Sequence, residues 1–195
     1  MRVWADLRDG DRRLTRRVAS WRSAGARQVL PAVEEAAQHT RLWWGAAFVM
    51  ATAGGWRGRR AATAGVVSMA VAEAVANGVV KQLWERRRPP REWFAHGDVR
   101  DRPDSSSFPS GHTAAAVGFT AAVAGVWPLA GALCALPALM VAGERVHAGA
   151  HYPSDVAAGA LIGLSAAALT RRAPRLAAAA LTRRAPRLAA RAALT

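Results

Sequence analysis

Long runs of alanine, valine, glycine and leucine, separated by tight clusters of arginine, most limit what this chain can become. The runs fall at residues 42–56, 61–80, 113–126, 130–142 and 156–170. A membrane crossing needs about 20 apolar residues, and basic flanks are typical of its ends. The 195-residue chain is 52% hydrophobic yet carries a formal net charge of +14, a pairing that soluble domains rarely combine. A basic, soluble, nucleic-acid-binding helical protein is disfavoured, because the arginines sit between apolar runs rather than along one helical face. The expected architecture is therefore all-α: a transmembrane bundle of five to six helices, with membrane lipids and not nucleic acid as its surroundings. The length suits one domain. A single cysteine, Cys134, excludes an intramolecular disulfide. The opening residues are charged and lack an early apolar stretch, so insertion is expected to rely on the internal runs.

Three regions follow from the pattern. Residues 1–41 read as a basic amphipathic helix, with Val3, Leu7, Leu14, Val18 and Trp21 among Arg8, Arg12, Arg13, Arg16 and Arg17. Tryptophan beside arginine suits a membrane surface; an ordinary solvated helix fits the same letters. Residues 42–170 hold the apolar runs, the first of them ended by Arg57, Arg59 and Arg60. Residues 171–195 form a basic tail in which the twelve letters of 167–178 recur at 179–190, a pattern suited to anionic lipid. Within the second apolar run Glu73, Asn77 and Lys81 are spaced i, i+4, i+8. They share one helical face, which is expected to look into the bundle.

The chemistry gathers in two polar stretches, 82–111 and 143–155. Helix connectivity brings their ends to one membrane face. The helix ending at Lys81 reaches that face, the helix beginning near Ser110 departs from it, and two further crossings return Arg145 and His151 to it. Lys81, Arg88 and Arg145 supply three cations. Ser110 and Gly111 at a helix start supply exposed N–H groups and the favourable dipole end. This is a cradle for an anion, and phosphate has the charge and oxygens to fill it. His112 and His151 beside it are candidates for proton donor and nucleophile. Asp155 follows His151 by four residues; if a helix starts near Ser154, its carboxylate reaches one ring nitrogen and fixes the tautomer.

These residues carry a resemblance. The chain resembles the type 2 phosphatidic acid phosphatase (PAP2) superfamily, whose signature is Lys-x6-Arg-Pro, then Pro-Ser-Gly-His, then Ser-Arg-x5-His-x3-Asp. Here stand Lys81 with Arg88-Pro89, then Pro109-Ser110-Gly111-His112, then Arg145 with His151 and Asp155, in order and at the right spacing. Glu144 occupies the place of the family's serine. An ionised carboxylate cannot donate to phosphate, so pairing with a neighbouring cation is the expected alternative. The resemblance implies a lipid phosphate phosphatase with no metal and no cofactor. His151 would form a phosphohistidine, Asp155 would orient it, and His112 would protonate the leaving group. Lys81, Arg88, Ser110, Gly111 and Arg145 would bind phosphate. It implies a bacterial cytoplasmic membrane location with an extracytoplasmic site. A decaprenylphosphoryl-phosphoribose phosphatase of cell-wall arabinan synthesis is a specific alternative. Vanadium haloperoxidases share the constellation but are large and soluble. Outside enzymes, the alternative is a non-catalytic protein that binds anionic lipid.

Overall fold

The computed structural model describes residues 2–20, 38–94 and 104–192, with isolated positions between 29 and 36; of residues 2–5, 7, 39 and 174–192 it describes the backbone alone. The described chain is helical. Helix α1 spans Arg2–Ala19 and α2 spans Arg41–Ala53; α3 runs Gly55–Leu83, α4 Gly111–Ala124, α5 Pro128–His147 and α6 Pro153–Ala192. Trp21, Leu30 and His96 lie outside the described residues.

Three of these helices, α3, α5 and the stretch Pro153–Ala173 of α6, are long and apolar enough to cross a membrane. Their outward faces agree: Leu129, Leu133, Leu136 and Leu139 on α5, and Leu161 and Leu164 on α6, are all at least half exposed. So large an apolar surface is costly in water and matched by lipid tails. The chain is an integral membrane protein.

Helix α4 is the axis of the bundle. It packs on α3, α5 and α6, and Ala114, Ala115, Ala116, Phe119 and Ala122 are fully buried. Small residues let the backbones meet, since lipid supplies no hydrophobic drive between helices. A Cβ on Gly159 of α6 would strike the carbonyl oxygen of Ser110, and one on Gly65 of α3 would sit 2.8 Å from the Phe119 ring. On its other side Phe119 meets Trp43 of α2, with ring centroids 5.4 Å apart.

Three boundaries differ from expectation, each for a physical reason. The first apolar run ends not at Arg57–Arg60 but at a Gly54-Gly55 turn. Gly55 adopts a φ of +56°, open to glycine, and the arginines fall in the first turns of α3. α5 does not stop at 142; it continues through Pro137 to His147, so Glu144 and Arg145 occupy its last turns. Residues 74–80 of α3 form a π-helical segment. The wider turn interrupts the plain helical phase that a spacing argument assumes, and such segments gather near functional sites.

Candidate functional site

The polar ends of α3, α4, α5 and α6 meet at one end of the bundle, on the side where α1 docks. Each side chain there owes its place to a local feature. Pro89 and Pro90 keep residues 84–90 out of helix, and Trp84 opens the stretch in extended conformation. Extended backbone alternates its side chains, so Arg86 and Arg88 share a face and turn inward. Ser106 and Ser107 brace this segment: Arg86 N–H donates to Ser106 Oγ (3.1 Å), and Ser107 N–H donates to the Arg86 carbonyl (2.9 Å).

Ser110 caps α4. Its hydroxyl lies 2.9 Å from Thr113 Oγ1 and accepts from Thr113 N–H, while its own N–H donates to the Asp155 carbonyl at 3.0 Å. With Ser110 so engaged, the N–H groups of Gly111 and His112 are the first helical amides, which a helix start leaves without intrahelical partners. Gly111 is there for space: a Cβ would sit 2.5 Å from Asn77 Oδ1. Asn77 in turn accepts from Lys81 Nζ at 3.2 Å, so the π-helical end of α3 sets a lysine beside the start of α4.

The third cluster is built on the turn between α5 and α6. The N–H groups of Ala150 and His151 both donate to the Arg145 carbonyl, at 3.1 and 3.0 Å, folding the turn back over the helix end. Arg145 is buried and its Nε donates to the equally buried Glu144 carboxylate, the pairing expected for the residue that departs from the signature. Arg88 reaches across to the same turn, donating from Nη1 to the Ala150 carbonyl (2.8 Å) and from Nη2 to the Ser105 carbonyl (3.2 Å). Its Nε–H is buried with no acceptor.

His151 is 3% exposed. Its Nδ1 lies 2.5 Å from the Ser107 carbonyl oxygen and 3.8 Å from Asp155 Oδ2. A carbonyl only accepts, so Nδ1 carries the proton and Nε2 keeps its lone pair. Asp155 is completely buried. Its Oδ2 accepts from Tyr152 N–H (2.8 Å) and its Oδ1 from Arg86 Nη1 (2.6 Å). Burial pushes the His151 pKa down, and Arg88 adds to this; the nearby Asp155 acts the other way. His112 is pushed down to about 3, first by burial and then by Arg145, His151, Lys81 and Arg88. Burial and the neighbouring cations thus both favour the neutral imidazole at the two positions.

The structure thus brings Lys81, Arg88, Gly111, His112, Arg145, His151 and Asp155 to one place, with Ser110 tying α4 to α6. Sequence reasoning left out two contributors and assigned a third differently. The Ser107 carbonyl is main chain and has no sequence signature. Arg86 reads in the sequence as an interfacial or headgroup-holding arginine, and its period-two spacing to Arg88 is the signal that it turns inward. Asp11, the acid of α1 that meets Arg86, lies far away in the chain. Beside the cleft, a cavity of about 620 Å³ is lined by Arg86, Arg87, Arg88, Arg91 and Ser105.

Fold and site together define a class: a membrane-embedded helical bundle with an arginine-lined cleft that holds two histidines. The PAP2 superfamily matches residues 61–178, and the chain belongs to it. Among solved structures it is similar to the transmembrane PAP2 type phosphatidylglycerolphosphate phosphatase of Bacillus subtilis, at 19% identity and a TM-score of 0.65 over 87% of each chain. It is likewise similar to LpxE of Aquifex aeolicus, at 22% identity and a TM-score of 0.66 over 82% of this chain and 93% of that one. No curated protein matches the chain.

Proposed function

We infer that this protein is a lipid phosphatase, removing phosphate from a lipid phosphomonoester or diphosphate through a phosphohistidine on His151. One observation carries the reading: main-chain and side-chain hydrogen bonds draw Arg88, Arg145, His151 and Asp155 to the start of α4, where Lys81 and His112 stand, around a single cleft. Phosphoryl transfer needs a nucleophile, a proton donor and fixed positive charge around the equatorial oxygens, and these residues supply all three. Membership of the PAP2 superfamily supports the same class, as does a fold like that of a transmembrane PAP2 type phosphatidylglycerolphosphate phosphatase.

His151 Nε2 bonds to phosphorus as the bond from phosphorus to the lipid oxygen breaks. His112 gives its proton to that oxygen. Water then attacks the phosphohistidine, His112 takes its proton, and phosphate leaves with His151 restored. Lys81, Arg88 with its open Nε–H, and Arg145 hold the phosphate oxygens, joined by the N–H groups of Gly111 and His112. Asp155 orients His151. Burial first, and then the surrounding cations, depress the His112 pKa; a bound phosphate offsets the cations' share, so His112 takes up the proton it donates when substrate binds. No step calls for a metal. The arginine-lined cavity accommodates the headgroup while the acyl or prenyl chain stays in lipid.

The side of the membrane is a separate proposal. The family resemblance favours an extracytoplasmic cleft. The docking of α1 beside the cleft adds Arg8, Arg12 and Arg13 to that face, which by the positive-inside bias favours a cytoplasmic one. Labelling an Arg13→Cys, Cys134→Ser protein in intact cells with a membrane-impermeant maleimide decides: modification means the cleft faces out.

The activity is tested on protein purified in mild detergent with chelator. Phosphate release is followed from phosphatidic acid, phosphatidylglycerol phosphate, a polyprenyl diphosphate and a polyprenyl phosphoribose phosphate. Expected is release from at least one lipid, insensitive to chelator and abolished by His151→Ala. If folded protein hydrolyses none, or the variant matches the parent, the non-catalytic binding of anionic lipid replaces this reading.

A further inference from the structure

Among its described side chains, α1 buries an acid and a hydroxyl on the face it docks. Asp11, Thr15 and Ala19, spaced i, i+4, i+8, are buried, while Leu14 is 50% exposed. The Thr15 hydroxyl has no hydrogen-bond partner among the described residues, whereas the buried acid is held by something polar, and its partner is Arg86. Its Nη2 donates to Asp11 Oδ2 (2.7 Å), and its Nη1 donates to Asp155 Oδ1 (2.6 Å) and to Ser154 Oγ (2.7 Å). Asp11 also accepts from Ser154 N–H at 2.9 Å and from Ser154 Oγ at 2.5 Å. The Arg86 guanidinium lies 4.2 Å above the Tyr152 ring. Both terminal nitrogens and one face of that guanidinium are thus engaged, by groups from α1 and from the start of α6 with the turn before it.

The arrangement is one-sided with respect to Asp155. Arg86 takes one carboxylate oxygen and Tyr152 N–H meets the other, the oxygen nearest His151. The carboxylate therefore cannot rotate without breaking an ion pair. We propose that Arg86, anchored by Asp11 of α1, is a positioning residue that holds the Asp155 carboxylate in register with His151, which makes the amino-terminal helix part of the catalytic frame. The proposal rests on the phosphatase reading for its kinetic test and stands apart from it in its spectroscopic one. A lysine cannot replace the fork: it offers one point charge where Arg86 spans two carboxylates. Arg86 also offsets the Asp155 charge that His151 feels, which favours the neutral, nucleophilic ring. The charged and titratable groups facing Asp155 are Asp11, Lys81, Arg86, Arg88, His151 and Tyr152.

The test compares Arg86→Gln, Arg86→Lys and Asp11→Asn with the parent and with His151→Ala as the inactive reference. Losing a charged hydrogen bond at the orienting carboxylate is expected to lower kcat about ten- to a hundredfold in Arg86→Gln, with KM changed little. The acid limb of its pH–rate profile is expected to move to higher pH. Arg86→Lys should recover part of kcat, and Asp11→Asn should show the smallest loss. Independently of turnover, 15N NMR of histidine-labelled protein in micelles reads the His151 titration, assigned by its absence in His151→Ala. Its midpoint is expected to rise in Arg86→Gln and return toward the parent in Arg86→Lys. An unchanged His151 midpoint in folded Arg86→Gln overturns the proposal, as does a loss confined to KM, which would make Arg86 a headgroup contact. If the parent itself is inactive, the phosphatase reading fails and the NMR titration alone decides this one.

Discussion

Both ends of the bundle are rich in arginine, yet the two collections are built differently. At the cleft end Arg145 is buried against Glu144, Arg86 bridges Asp11 and Asp155, and Arg88 is spread over two main-chain carbonyls. At the far end Arg59, Arg60 and Arg171 surround a cavity of about 600 Å³ floored by Ala64 and Val67. There Arg59 and Arg60 are exposed, and Arg57 donates to the Val126 carbonyl (3.1 Å). Arginine number does not separate a site from an interfacial belt. What separates them is whether the guanidinium is desolvated, held by acceptors and aimed at a common point. A fixed charge in a dry setting acts on a transferring phosphate without reorganising, whereas an exposed one is screened.

Substitution at the two ends should break the comparison if it is wrong. The largest effect is expected at the cleft. Arg145→Ala and Arg88→Ala should each lower kcat/KM for the best lipid substrate about a hundred- to a thousandfold, measured by phosphate release with melting curves as a folding check. An intermediate effect is expected on stability against pH. His112 is held at about 3, below its ordinary 6.5. The unfolded chain therefore takes up the proton first, and stability is full above about 6.5 and lost as pH falls toward 3. The loss is at most about 1.4 kcal/mol per pH unit. The melting temperature in detergent should drop between pH 6.5 and 4.5, and His112→Gln should flatten that slope. The smallest effect is expected at the far end: Arg59→Ala with Arg60→Ala should change kcat/KM less than about twofold and stability by less than about 0.5 kcal/mol. A tenfold loss there would mean that the far cavity communicates with the cleft.

How much of this was legible in the letters depended on the kind of information involved. Apolar runs reveal helices because burial in lipid has a length, and α3, α5 and α6 lie where the runs are. They do not reveal where a helix ends when the terminator is conformational. The turn at Gly54-Gly55 was hidden behind more conspicuous arginines, and α5 ran through Pro137 and into Glu144 because membrane helices absorb proline through their neighbours. The π-helical segment at 74–80 was invisible, since no residue type demands it. For the cleft, spacing sufficed to gather side chains from α3, α4, α5 and α6 at one end. The partner of His151 Nδ1 was expected to be Asp155, four residues on. The Ser107 carbonyl is the closer acceptor, and a main-chain oxygen leaves no trace in a sequence. Likewise the sequence shows α1 by its apolar letters, while the polar anchor seen in the structure is Asp11.

The link between Asp11 and Ser154 spans 143 residues. In time rather than space, α1 is synthesised well ahead of its anchor, which arrives only as α6 is made. At ordinary translation speeds the gap is on the order of ten seconds. For the latter part of that interval Arg86 has been made but has no Asp155 to grip, and the His151 turn does not yet exist. The contacts among residues 77–111 need nothing from α6, whereas the joints to Ser154 and Asp155 wait for it. The cleft is therefore completed only when α6 delivers the partners of Arg86 and Asp11.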